Sequence, residues 1–333
     1  MKVVLASPNF HQPRGNTVTV RRIASGLEKL GVKTDIVSIT EEGSLHSFPS
    51  ADIVHGFHAH HFYTFMQKLG RTLNPYVVTL TGTDLNHDLF DKSKRADVMT
   101  SLNGAKAIHV FDNKARETLL NEIPQTKDKI VTIAQGTVDF PKVHLPFAKE
   151  KNTFLFVLPA GIRKVKNIPA AIHMMQALHR KFPRVRLWLV GPIIEEEEGR
   201  LVKELVDRQS DWISYLGQLP HSSMGAVYEQ ADVVLNTSHS EGQSTALLEA
   251  MGYEIPVIVS NNQGNRSIVS HKETGFLYQT PDEFLEFTEQ IMNNKHLKQK
   301  MGQLAKQYIV VNHSNTYEAE TLLHMYKRIL DIK

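Results

Sequence analysis

The chain has no cysteine among its 333 residues, which excludes a disulfide frame and any thiolate nucleophile or thiolate metal site. No apolar run approaches the roughly 20 residues that a membrane-spanning helix needs. The opening run Val3-Val4-Leu5-Ala6 is soon stopped by Pro8 and is too short for the core of a signal peptide. A first buried strand and a cytoplasmic protein are expected instead. Excess charge is absent as well: the formal net charge is +3, too little to imply a nucleic-acid partner. Lys295, Lys298, Lys300 and Lys306 recur among polar residues near the C-terminus. They read as a solvated face, leaving at most a weak peripheral membrane contact. Also missing is a G-x-G-x-x-G fingerprint with an acid about 20 residues on, which disfavours a nicotinamide dinucleotide. No short repeat or low-complexity segment occurs.

What is present centres on Ser240-Glu241-Gly242-Gln243-Ser244-Thr245-Ala246-Leu247-Leu248-Glu249. Two carboxylates stand eight positions apart, the first in a glycine turn and the second about one turn into a predicted helix. Apolar strand-type runs flank them, Ala231–Thr237 before and Ile255–Ser260 after. Strand, tight turn, helix and strand make a βαβ unit of a parallel sheet, whose ligands bind at the carboxyl ends of the strands. Glu241 and Gly242 fall there, and the next helix aims its free N–H groups at any anion.

The same rhythm runs along the chain. Val3–Ser7 is a strand, and the loop Pro8–Asn16 leads into a helix over Thr17–Leu30, with Val20, Ile23, Ala24, Leu27 and Leu30 at helical spacing. Gly15 and Asn16 therefore occupy a ligand-facing turn. Ala51 begins a strand that runs into a loop with His55, His58, His60 and His61. No carboxylate or cysteine lies among residues 55–61, so no metal site is expected; His58 is the candidate for hydrogen bonding to substrate. Tyr76–Leu80 ends in Thr81-Gly82-Thr83-Asp84, a further small-residue turn, and strands continue to Ile133. Residues 1–140 are expected as one domain, joined by a C-terminal helix over 316–333, with 141–152 as a linker and 153–315 as a second domain. The second begins with Phe154–Leu158 and the turn Pro159-Ala160-Gly161-Ile162-Arg163-Lys164-Val165-Lys166. The fold class is α/β: two Rossmann-like, doubly wound domains facing across a cleft.

Cations at Arg163 and Lys166, backbone amides after Gly242 and two carboxylates suit a sugar nucleotide. Fixed donors would stabilise a diphosphate as it leaves, Glu249 can accept from two neighbouring ribose hydroxyls, and Glu241 can orient a sugar.

These motifs resemble those of the retaining, nucleotide-sugar-dependent glycosyltransferases with two Rossmann-like domains (the GT-B fold), often called glycosyl transferases group 1. The resemblance spans nearly the whole chain and rests most on Glu241 to Glu249 as the E-x7-E element. Arg163 and Lys166, Gly217 with Leu219-Pro220, Asp232-Val233, Gly275-Phe276-Leu277, Asp52-Ile53-Val54-His55, Gly82-Thr83-Asp84 and Gly136–Asp139 support it. The resemblance implies that Arg163 and Lys166 bind and stabilise the donor diphosphate, with Gly161 in the same turn. It implies that Glu241 contacts the donor sugar, Glu249 holds the ribose, and Gly242, Gln243, Ser244 and Thr245 lie near the phosphate. Gly15 and Asn16 would approach the phosphate, His58 the sugar's reacting face, and Thr83 and Asp84 the acceptor side. A hexosyl or N-acetylhexosaminyl transfer with retention is implied, with UDP favoured over GDP and neither metal nor other cofactor.

The chain also departs from the family pattern. Thr81 stands where a histidine often precedes Gly-Thr-Asp, and Gln243-Ser244 replaces the common Phe-Pro. Thr81–Asp84, His58-Ala59 and Ile162–Lys166 are similar to a smaller branch that includes bacterial selenosugar synthases. A thiol or selenium acceptor follows from that branch but is not favoured over a hydroxyl. The competing readings are a sugar-nucleotide epimerase, for which Asp84 and Asp88 supply too few acids, and a nucleotide-sugar binding protein without turnover.

Overall fold

A computed structural model describes residues 1–12, 15–41, 43, 48–71 and 73–332; Pro13 and Arg14, part of the expected first ligand-facing loop, lie outside them. The chain divides into two units, Met1–Gly136 with His313–Lys333, and Thr137–Asn312.

The first unit alternates β1 (Lys2–Ser7), α1 (Gly15–Lys29), β2 (Lys33–Ser38), β3 (Ile53–Phe57), α2 (Ala59–Leu69), β4 (Tyr76–Thr79), α3 (Arg95–Gly104), β5 (Ala107–Val110), α4 (Asn113–Glu122) and β6 (Ile130–Thr132). The six strands pair in parallel in the order β2-β1-β3-β4-β5-β6. Helices cover both faces of such a sheet, which is why its central strands read as continuous apolar runs. Val3, Val4, Leu5, Val77 and Val78 are fully buried. The strand order reverses between β1 and β3, and the crevice at the carboxyl ends of those strands is the place a doubly wound sheet offers a ligand.

The second unit holds β7 (Phe154–Pro159), α5 (Ile168–Lys181), β8 (Val185–Val190), α6 (Glu196–Asp207), β9 (Ile213–Tyr215), α7 (Met224–Tyr228), β10 (Val233–Asn236), α8 (Thr245–Gly252), β11 (Val257–Ser260), α9 (Gln263–Arg266), β12 (Gly275–Tyr278), α10 (Pro281–Asn293) and α11 (Lys295–Asn312). Its parallel order is β12-β11-β10-β7-β8-β9, so the reversal falls between β7 and β10. Val157 and Val234 face each other across that junction and are fully buried.

The stretch 141–152, expected as a linker, is part of the second unit. Leu145 and Phe147 pack against its core. Lys149 donates its backbone N–H to Gln230 Oε1 at 2.6 Å and its Nζ to Asp232. The stretch is a strap with its own partners. Nor is the basic C-terminal face simply solvated: Lys298 Nζ binds Asp232 Oδ1 at 2.7 Å, and Lys306 lies 3.4 Å from Glu254.

The last helix, α12 (Asn315–Ile329), is capped by Ser314, whose Oγ accepts from Tyr317 N at 3.2 Å. Leu322, Met325 and Tyr326 pack with Val20, Ile23 and Leu27 of α1, so the chain ends inside its first unit. Arg22 Nε and Nη2 donate to the two carboxylate oxygens of Glu318 at 2.8 and 2.9 Å, both side chains being about 1% exposed. A second buried polar chain runs from Tyr326 Oη to His55 Nδ1 (2.5 Å), His55 Nε2 to Thr79 Oγ1 (2.5 Å), Thr79 Oγ1 to His109 Nδ1 (2.8 Å) and His109 Nε2 to Ile133 O (3.0 Å). Among the described residues no helix is long and apolar enough to cross a membrane.

Candidate active site

The second sheet's reversal brings together residues that are far apart in sequence. The turn after β7 carries Arg163 and Lys166, and the loop after β10 carries Glu241. Lys166 Nζ lies 2.5 Å from Glu241 Oε1, and the same oxygen accepts from Asn236 Nδ2 at 2.9 Å and Ser238 Oγ at 2.7 Å. Burial would raise the Glu241 carboxyl above its ordinary value, but the Lys166 ammonium and these hydrogen bonds outweigh it and hold the group below that value. Glu241 is therefore a carboxylate fixed in one position. Backbone bonds tie the two turns: Thr237 Oγ1 donates to Lys166 O at 2.8 Å, and His239 N to Val165 O at 2.9 Å.

Arg163 is half-buried, and among the described residues its buried Nε has no hydrogen-bond partner. Lys164 turns away, its Nζ 2.9 Å from Glu197 at the start of α6. A side chain at Gly161 would meet Ile194 Cδ1 at 2.4 Å, so close packing accounts for that glycine, which need not touch a ligand. Asn167, with φ of 50°, takes the left-handed conformation that asparagine tolerates and starts α5.

The Glu241-Gly242 turn rests on α9. A Cβ added at Gly264 would sit 1.9 Å from Gly242 O and 2.5 Å from Glu241 O, so only glycine permits this approach. Asn265, fully buried, donates from Nδ2 to Asn236 Oδ1 at 3.2 Å and Ser260 O at 2.9 Å. Asn262 Nδ2 and Ser260 Oγ both donate to Ser238 O, at 2.9 and 2.6 Å. Gln243 reaches Ser267 Oγ at 3.5 Å. Ser244 is buried and precedes Thr245, the first residue of α8.

Glu249, on the next turn of α8, is 5% exposed. Its Oε1 lies 2.6 Å from His221 Nε2, and its Oε2 accepts from Tyr228 Oη at 2.9 Å. Burial first, and then the neighbouring Glu249 charge, push the Tyr228 phenol well above its ordinary value, so it remains a donor.

In the first unit Gly15 and Asn16 open α1 beyond β1, as expected for a ligand-facing turn. His58 follows β3 with φ of 71° and is 5% exposed. Its ring lies 4.2 Å from that of His61, and its Nε2 is 3.6 Å from Asp88 Oδ2. Burial and the flanking His58 and His60 lower His61 to about 4. Asp84, expected on the acceptor side, is fully buried. Its carboxylate accepts from the backbone N–H groups of Ala59, Thr81, Gly82 and Leu85 at 2.9 to 3.2 Å. It clamps the loop, since a short side chain in a tight glycine turn is as suited to binding its own backbone as a ligand. Thr83, beside it, is exposed. Among the described residues no group of three or more histidine, cysteine, aspartate or glutamate side chains is placed to hold a metal ion.

A search for related proteins finds the family described as Glycosyl transferases group 1 over residues 139–308, just over half of the chain. The chain belongs to this family. One relative, matching well beyond that segment, is glycosyltransferase 1 domain-containing protein 1 of Xenopus tropicalis, 29% identical over 320 residues, covering 92% of each chain. Two solved structures share the fold of this group 1 glycosyl transferase. Sucrose-phosphate synthase of Thermosynechococcus elongatus superposes with a TM-score of 0.80 at 16% identity, covering 99% of this chain and 100% of the other. HepE of Anabaena, solved in complex with UDP and glucose, gives 0.77 at 13% identity, covering 98% and 100%. The α/β class read from the sequence, seen here as two parallel six-stranded sheets, is thus shared with solved structures.

Sequence reasoning about this group 1 glycosyl transferase missed Asn236, Ser238, His221, Tyr228 and Asn265. Asn236 and Ser238 sit within five residues of Glu241, where a polar strand end was the available signal. His221 and Tyr228 had none, because nothing local ties them to a helix that begins after the next strand.

Proposed function

We propose that the chain is a retaining glycosyltransferase that moves a hexosyl or N-acetylhexosaminyl group from a UDP-sugar to an acceptor hydroxyl without a metal ion. The observation that carries this reading is the meeting of Lys166 and Glu241 at the second sheet's reversal, beside an Arg163 whose Nε has no protein partner among the described residues. Lysine has three N–H donors, and Glu241 takes one, so the others can reach diphosphate oxygens. A guanidinium with a spare N–H adds a second fixed cation.

During transfer the bond between the anomeric carbon and the phosphate oxygen breaks, and its electron pair stays on the leaving diphosphate. The acceptor oxygen bonds to the anomeric carbon on the same face, and its proton passes to the phosphate oxygen that leaves from that face. Charge grows on the diphosphate, so Arg163 and Lys166 act where it develops. Glu241 takes sugar hydroxyls, Glu249 the ribose, and the amides of Gly242, Gln243, Ser244 and Thr245 the phosphate. For the first unit we propose Gly15 and Asn16 for donor phosphate, His58 for the sugar's reacting face and Thr83 for the acceptor. HepE, which shares the fold, holds UDP, and this supports UDP as the carrier.

The first experiment is thermal stabilisation by UDP-, GDP- and ADP-sugars, since a ligand that binds only the folded state raises the melting temperature. A shift with UDP-sugars is expected, and no shift with any sugar nucleotide would sink the reading. With a responding donor, Lys166→Ala should lower kcat on the order of tenfold or more; unchanged turnover would remove Lys166 from the mechanism.

A further inference from the structure

Glu249 offers four lone-pair sites on its two oxygens. The structure accounts for one on each: His221 Nε2 faces Oε1 at 2.6 Å and Tyr228 Oη faces Oε2 at 2.9 Å. Since both oxygens are held from the protein side, the carboxylate cannot rotate without losing a bond. Each oxygen keeps one lone pair, and two acceptors on one rigid carboxylate match two vicinal hydroxyls.

The two holders are themselves fixed. Tyr228 is fully buried on α7. His221 begins the 3-10 turn His221–Ser223 just before it, and its side chain is 35% exposed while that of Glu249 is 4% exposed. Phe140 packs edge-on against His221 at 4.9 Å between ring centroids and lies 6.1 Å from Tyr228. A Cβ at Gly225 would strike Phe140 Cβ at 2.6 Å and Tyr253 Oη at 2.5 Å, so α7 has no room for a side chain where this aromatic group packs.

We propose that His221 and Tyr228 are positioning residues for nucleoside recognition. By holding one lone pair on each oxygen of Glu249 they direct the remaining two at the 2′- and 3′-hydroxyls of a ribose, so the site selects ribonucleotides over 2′-deoxyribonucleotides. This rests on the donor reading above, and the orienting role of His221 and Tyr228 is what it adds. A deoxyribonucleotide leaves one oriented acceptor of a buried carboxylate without its hydroxyl, and a site built for a hydroxyl rejects the analogue lacking it.

The test measures binding of UDP and 2′-deoxy-UDP by calorimetry to the whole protein and to His221→Ala, His221→Gln and Tyr228→Phe. A hydrogen bond to a charged group predicts that the unaltered protein prefers UDP by about tenfold or more. His221→Ala and Tyr228→Phe should each weaken UDP binding about tenfold and bring the preference to within about threefold. His221→Gln, which restores an N–H donor, should recover much of it. If folded variants with near-normal melting temperatures keep the full preference for UDP, the two residues only pack, and the proposal fails. Failure of the donor reading itself would show earlier and differently, as no binding of UDP to the unaltered protein.

Discussion

His55 and His109 show how much a single proton can decide. His109 Nε2 faces the carbonyl of Ile133, which only accepts, so Nε2 carries the hydrogen and Nδ1 accepts from Thr79. Thr79 Oγ1 then accepts from His55 Nε2, and His55 Nδ1 accepts from the Tyr326 hydroxyl. Every bond points the same way, and both rings must be neutral. Burial lowers both histidines, with His109 adding to the effect at His55 and the Ile133 and Glu318 contacts opposing it at His109. An unfolded chain takes up these protons near pH 6.5, the folded one only at lower pH. Stability of the first unit is therefore full above about pH 6.5 and falls as pH drops below it. Hydrogen exchange of β3 and β5 measured between pH 5 and 8 should show protection, corrected for intrinsic rates, declining on the acid side. A flat profile would mean the rings are not held neutral.

At the scale of elements, the regular parts were legible and the pairings were not. The helix over Ile168–Lys181 shows in its spacing, because Ile168, Ala171, Ile172, Met175 and Leu178 repeat on one buried face. The strand-turn-helix around Glu241 and Glu249 was readable for the same kind of reason. What local pattern does not carry is which strands become neighbours. Lys166 and Glu241 meet because β7 and β10 pair, 75 positions separating the two side chains. Nor does the sequence reveal that Asp84 clamps its own loop, because a carboxylate in a glycine turn looks the same whether it binds a ligand or its own backbone. α9 illustrates an element whose work shows only in three dimensions: its four residues support the Glu241-Gly242 turn through Gly264. Gly264→Ala should push that turn away, costing about 1–3 kcal/mol of stability and raising the KM for donor several-fold more than it lowers kcat. Urea unfolding and steady-state kinetics check both, and an unperturbed KM would show that the turn does not contact the donor.

The whole molecule is two parallel sheets, one built from a continuous segment and the other from two ends of the chain. The Arg22–Glu318 pair joins those ends across 296 positions. Buried ion pairs are weak stabilisers as pairs, but breaking one strands a charge. Glu318→Ala should cost the first unit about 3–5 kcal/mol and speed hydrogen exchange in α12, while exchange in α8 and β10 of the second unit stays as it was. Equal loosening of both units would show that they unfold together.

The split first unit also sets an order on biosynthesis. Residues 137–312 form one continuous stretch, so the second unit has its whole sheet once they leave the ribosome. Val20, Ile23 and Leu27 emerge far earlier, yet they wait for Leu322, Met325 and Tyr326. The apolar face of α1 therefore stays uncovered while all of the second unit is being made.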